Sequence, residues 1–101
     1  MFTPISAAAS GVRLGTTWLA TTASNVANDV TPGYRAESPI AAPSGDGVSL
    51  AGITTRTGAP NVDLAVEMPN LLMATDYVEA NLAVIRRAED AYRSMLDTFA
   101  R

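Results

Sequence analysis

The sequence predicts a mainly α fold: an antiparallel two-helix coiled-coil hairpin made from N- and C-terminal helices, joined by a short loop or β-hairpin connector. Three observations carry this expectation. Residues 62–101 repeat large apolar side chains every seven positions, residues 1–28 repeat large and small ones in alternation, and residues 29–61 hold most of the Pro and Gly.

The C-terminal segment, 62–101, has the strongest period. One series runs Leu64, Leu71, Val78, Ile85, Tyr92 and Phe99, and its companion runs Met68, Thr75, Leu82, Glu89 and Leu96. Thr75 and Glu89 are its two defects, softened by neighbouring Ala74 and Ala88. A helix from about Pro69 to Phe99 follows, about 46 Å long at 1.5 Å per residue. Pro69 complicates its start, because inside a helix it removes the bond to the Ala65 carbonyl at a cost of about 3 kcal/mol. The expected solutions are a turn at Val62 to Glu67 followed by a fresh start, or a kink.

The N-terminal segment, 1–28, complements that stripe. Ile5, Val12, Leu19 and Val26 form one series, and Ala8, Gly15 and Thr22 the other. Small residues between large ones let a partner backbone approach closely. Its only charge is Arg13, and hydroxyls at Ser6, Ser10, Thr17, Thr21 and Ser24 take the place of the usual charged outer face. Such a surface suits burial against other protein, and the β-branched threonines with Gly11 and Gly15 predict a helix frayed in the free chain. Trp18, beside Leu19, is too large for so small-sided a helix and is expected to anchor in a pocket of another chain. The expected interface residues are therefore Ile5, Val12, Trp18, Leu19 and Val26 against Leu71, Val78, Leu82, Ile85, Tyr92, Leu96 and Phe99.

In the connector, 29–61, Thr31-Pro32-Gly33-Tyr34 reads as a type II turn. Gly47 to Thr57 alternates enough to suggest a strand or hairpin, with a bulge at Gly52. Asn25 and Asn28 near the first helix end are expected to cap carbonyls. Asn81, inside the long helix, is placed either to fix helix register or to face solvent.

Composition limits the chemistry. The 101 residues carry seven Arg, ten Asp plus Glu, no Lys, no His and no Cys, for a net charge of −3. That balance argues against a nucleic-acid partner. Without His or Cys, catalytic and metal-binding options are few, so no catalytic residue, cofactor, metal or small-molecule substrate is expected. Asp76 and Glu79 sit at i, i+3, but without a third ligand they read as a solvated face. The alternating charges from Arg86 to Asp97 read as local pairs such as Glu89 to Arg93, with Arg87 or Arg93 reaching another subunit. No stretch reaches about 18 uninterrupted apolar residues, so no direct membrane insertion is expected, and the N-terminus lacks the basic flank of a secretory signal. Of 48 apolar residues, 18 are Ala, so the core is expected to be thin. The residues alone therefore point to a helical subunit completed by other chains.

Two ordered motifs add a resemblance. Ala23-Ser24-Asn25-Val26-Ala27-Asn28-Asp29-Val30-Thr31-Pro32-Gly33-Tyr34-Arg35 closes the first helix, and Asn61-Val62-Asp63-Leu64-Ala65-Val66-Glu67-Met68-Pro69-Asn70-Leu71-Leu72 opens the second. Both resemble signatures of the bacterial flagellar basal-body rod and hook axial proteins. Ile5, Ser10-Gly11 and Leu19 also fit that family's N-terminal pattern. Tyr77, Ala80-Asn81, Val84-Ile85 and the ending from Leu96 fit its C-terminal one. The likeness covers residues 1–35 and 61–101. Gly47-Val48 to Ile53 and Asn61-Val62-Asp63 are more similar to proximal rod proteins than to hook or distal rod proteins. The connector is shorter than family members usually have.

The resemblance implies a non-catalytic structural subunit whose terminal helices pair and stack with copies of itself and other rod proteins into a periplasmic shaft. It implies export through the flagellar type III apparatus without a cleaved signal. A second expectation, of a different class, is a rod-derived helical adaptor that binds export or basal-body proteins without polymerising.

Overall fold

A computed structural model describes residues 3–57 and 62–100. The chain is mainly helical, with helix α1 over Thr3–Ala27, strands β1 (Glu37–Ser44) and β2 (Gly47–Thr55), and helix α2 over Leu64–Ala100. The molecule measures 65 × 23 × 14 Å, and α2 at 37 residues accounts for most of its length. Among the described residues no helix is long and apolar enough to cross a membrane.

Helix α1 is continuous over Thr3–Ala27. Its hydroxyls turn inward on their own backbone: Ser10 Oγ donates to the Ala7 carbonyl, Thr16 and Thr17 to Arg13, and Thr21 to Thr17. Asn28 ends the helix as expected, its Nδ2 donating to the Ser24 carbonyl at 2.8 Å while its Oδ1 accepts from Thr31 Oγ1. The type II turn then follows as read: Tyr34 N donates to Thr31 O at 3.2 Å and Gly33 has φ 77°.

The connector forms one antiparallel hairpin. Ser44 pairs with Gly47 across a two-residue loop, Gly45-Asp46, in which Gly45 takes φ 59°. Positive φ at the first loop position is the type II′ arrangement, whose twist matches that of the strands. Strand β1 was not expected from sequence, since it carries Pro39 and Pro43. In a two-stranded sheet every strand is an edge, so a missing N–H can face outward. The register shifts between Ile40 and Ala41, leaving Ala51 without a partner next to Gly52, where the bulge was expected.

Helix α1 occupies the middle of the molecule. The hairpin and α2 both pack on it, and the strands rest on α1 rather than on α2. The small hydroxyl-bearing surface of α1, expected to meet other chains, is thus partly covered by the chain's own hairpin: Ser10 Oγ accepts from Val48 N at 3.1 Å.

Helix α2 starts earlier than expected and contains Pro69 in its second turn. The expected turn over Val62 to Glu67 is absent because Asp63 caps the helix there. Its Oδ1 accepts from Ala65 N at 3.0 Å, and its carbonyl accepts from Val66 and Glu67 N, both at 2.9 Å.

The core is thin. Among the described residues, Ala8, Ala36 and Ala74 are its buried apolar side chains, with Thr22, Asn25 and Glu67 buried beside them.

Candidate assembly surface

The two helices meet along a line of small residues. A Cβ built on Gly15 would lie 2.5 Å from Val78 Cγ2 and 3.0 Å from Tyr77, and one on Gly11 would lie 2.5 Å from Asn81 Oδ1. These contacts pair rising positions of α1 with falling positions of α2, and the last of the series joins Asn25 to Glu67. Asn81 therefore faces the partner helix, not solvent. Its Nδ2 donates to the Tyr77 carbonyl at 2.8 Å, and its amide fills the space that any side chain at position 11 would need.

This line keeps the expected small-residue series of α1, Ala8, Gly15 and Thr22, and corrects the rest of the seam. On α1 the buried positions are Ala8, Gly11, Gly15, Thr22 and Asn25, whereas Ile5, Val12, Trp18, Leu19 and Val26 are half-buried and flank them. On α2 the buried positions are Glu67 and Ala74, with Leu71, Val78, Leu82 and Ile85 half-buried. Met68, expected at the centre, is 49% exposed, and its place is taken by Glu67. Close approach explains the pairing: where α1 has Gly11 and Gly15, the side chains of Asn81 and Val78 reach its backbone directly. Trp18, expected to anchor in another chain, packs edge-on against Tyr77 of its own chain, ring centroids 6.1 Å apart at 63°.

The motif residues converge at the other end of the seam. Asn25, 1% exposed, has all its amide capacity used. Its Oδ1 accepts from Glu37 N and Tyr34 Oη, each at 3.0 Å, while its Nδ2 donates to the Glu37 carbonyl at 2.8 Å and to Glu67 Oε2 at 3.1 Å. Glu67, 2% exposed, is completed by Arg56, whose guanidinium lies 3.5 Å from Oε1. Asn25 is therefore not a helix cap, as expected, but a clasp joining α1, the start of β1 and the first turn of α2. Tyr34 Oη also lies 3.3 Å from Ser24 Oγ, holding the turn against the helix end. Thr31, Pro32 and Gly33 serve the turn, Asp63 caps α2, and Asn61 lies outside the described residues. Sequence reading missed Arg56, whose only signal was a lone cation shortly before an acidic helix start.

The far end of α2 is exposed among the described residues. Every residue from Ala91 to Ala100 is exposed, including Tyr92, Met95, Leu96 and Phe99 at 37, 43, 47 and 76%. The register of the Gly11 and Asn81 contact brings Thr3, the first described residue of α1, level with about Glu89. Tyr92, Leu96 and Phe99, expected in the seam, thus lie beyond the described part of α1. They occur at i, i+3, i+4 and i+7 with Met95, one exposed apolar stripe on the last turns of α2.

Asp76 and Glu79 are exposed, and among the described residues no three His, Cys, Asp or Glu side chains stand close enough to hold a metal ion. No protein-family model matches the chain, and no curated protein matches it.

Proposed function

We propose that this chain is a structural, non-catalytic subunit of the bacterial flagellar basal-body rod, assembling with copies of itself and other rod proteins in the periplasm. In this reading α1 and α2 act together as an antiparallel coiled-coil hairpin, and the subunit reaches its place through the type III export apparatus without a cleaved signal. The observation that carries the reading is the apolar stripe on the last turns of α2, where Met95, Leu96 and Phe99 are exposed among the described residues. Ten consecutive exposed positions bearing Tyr92, Met95, Leu96 and Phe99 make a poor solvent-facing helix and a good packing surface. Two further features support it. The motif residues Asn25, Tyr34 and Glu67, which carry the resemblance to axial proteins, form one hydrogen-bonded clasp. The core is too thin to give a helix pair of this length much stability alone, so contacts between chains would offset the ordering entropy.

The test is a strain lacking the gene, examined for swimming and by electron microscopy of isolated basal bodies. Loss of motility with missing or shortened rods is expected. Intact rods would contradict the assignment, and intact rods with altered export would favour the adaptor.

A further inference from the structure

The two edges of the hairpin differ. Arg56 N donates across the ladder to Ala36 O, while Val48 N points away from it to Ser10 Oγ. Counting from those two bonds, the alternation turns positions 37, 39, 41 and 43 of β1 and positions 48, 50, 53 and 55 of β2 outward. The β1 edge is closed: Glu37 gives its N–H and its carbonyl to Asn25, and Pro39 and Pro43 have no N–H to offer. The β2 edge is open. Leu50 and Ile53 turn both backbone groups outward, their side chains are 44 and 48% exposed, and β2 holds neither the Pro nor the charge that usually guards a free edge.

We infer that this edge pairs with the β2 edge of a second copy of this chain, antiparallel and two-fold, with Leu50 of each copy opposite Ile53 of the other. The inference goes beyond the rod reading and does not depend on it.

Three observations select that occupant. The first is register. Ala51, which has no partner on β1, switches the outward set from even to odd positions, so a copy rotated by half a turn matches outward groups along the whole strand when 50 meets 53 and 48 meets 55. Each pairing of 50 with 53 then exchanges two backbone bonds. The second is charge. Asp46 stands just before β2 and Arg56 just after it, and this register brings each Asp46 within one position of Arg56 on the other copy. Asp46 is exposed, and the Arg56 side chain remains 36% exposed while it holds Glu67. Such a pair adds little energy but fixes direction, because parallel strands would set like charges side by side. The third is a seat. Ser10, Leu14, Thr17 and Leu50 line a groove of about 240 Å³ between α1 and β2, with Arg13 also in its wall. Residues directly opposite across a ladder share a face, so Ile53 of the second copy enters this groove beside Leu50.

Pairing makes one four-stranded sheet whose outer strands are the two copies of β1. Both of those edges carry Pro39 and Pro43, so the sheet stops at two chains.

The chain has no Cys, so introduced thiols report the register directly. Bonded opposite residues have Cα atoms about 5.5 Å apart, within disulfide range, whereas 50 and 50, or 53 and 53, would be offset by about 10 Å along the strands. Leu50→Cys and Ile53→Cys, mixed and oxidised with copper phenanthroline, are expected to give a covalent two-chain species on a non-reducing gel. Either variant alone is expected to stay single. Ile53→Pro removes one outward N–H without taking a bond from β1, and in sedimentation velocity it should weaken the two-chain species at least about tenfold. Circular dichroism checks that it folds, and Leu50→Lys replaces it if it does not. No covalent product from the mixture, equal product from either variant alone, or a folded edge variant that pairs as tightly as the unaltered chain would overturn the inference. Species longer than two chains score the rod reading separately: their absence beside a formed cross-link contradicts that reading alone, and their presence without the cross-link overturns the edge pair alone.

Discussion

Asn25 and Glu67 show how much one buried amide can organise. Asn25 and Glu67 Oε2 are buried and the Glu37 backbone and Tyr34 hydroxyl are part-buried, so removing the amide leaves polar groups short of partners away from water, and the penalty for that is larger than the net gain from an ordinary surface bond. Asn25→Ala should therefore lower stability by about 2–4 kcal/mol, read as a fall in the urea midpoint of the helical signal. A loss below about 0.5 kcal/mol would mean that water replaces the amide and that the clasp holds nothing. Both residues stand in the motifs quoted from sequence, yet their partnership was not legible there. An Asn near a helix end has a local explanation as a cap, and a bond to a side chain 42 positions away leaves no periodic trace. Asn28, whose bonds are all local, was read correctly for the same reason.

Among the elements, the helices were legible because their period is strong, and so was the small series of α1, Ala8, Gly15 and Thr22, which lies buried; on α2 the buried line falls one position before the companion series, at Glu67 and Ala74 instead of Met68 and Thr75. Here the line of closest approach is set by the residues that lack size, and Gly15 tests this directly. Ala normally improves a helix by about 1 kcal/mol over Gly, yet a Cβ at position 15 meets the branched Val78 side chain and the Tyr77 ring. Gly15→Ala should destabilise by about 1–2 kcal/mol in thermal unfolding. Gly11→Ala should be close to neutral, since the amide of Asn81 can turn aside. Equal gains from both would place the helices farther apart than described. Pro69 gives the opposite sign: it sits in the second turn of an already capped helix, and Pro69→Ala should add about 1–3 kcal/mol by restoring the donor to the Ala65 carbonyl. A loss on that change would assign Pro69 a packing role. The hairpin was half legible. Strand β2 alternates and was seen, whereas β1 is written in Pro, Ala and Ser and becomes a strand only because β2 and α1 lie beside it.

At the scale of the molecule, a small polar core lies at one end and an exposed apolar stripe at the other, the arrangement on which the proposed assembly rests. The sequence announced the stripe but placed all of it inside one hairpin. The unequal lengths of α1 and α2, 25 and 37 residues, put its last members outside the described seam. Ile85, half-buried where the two helices still overlap, links the two levels. Ile85→Asp should abolish helix pairing and assembly together, while Asp46→Ala at the exposed hairpin tip should change neither. Normal assembly of both variants would refute the helical interface. The most direct measurement is sedimentation velocity of the unaltered chain across a wide concentration range, with helix content followed in parallel. Growth from single chains to progressively longer species as concentration rises is the result this account requires. A single chain with both helices fully formed at every concentration would contradict it.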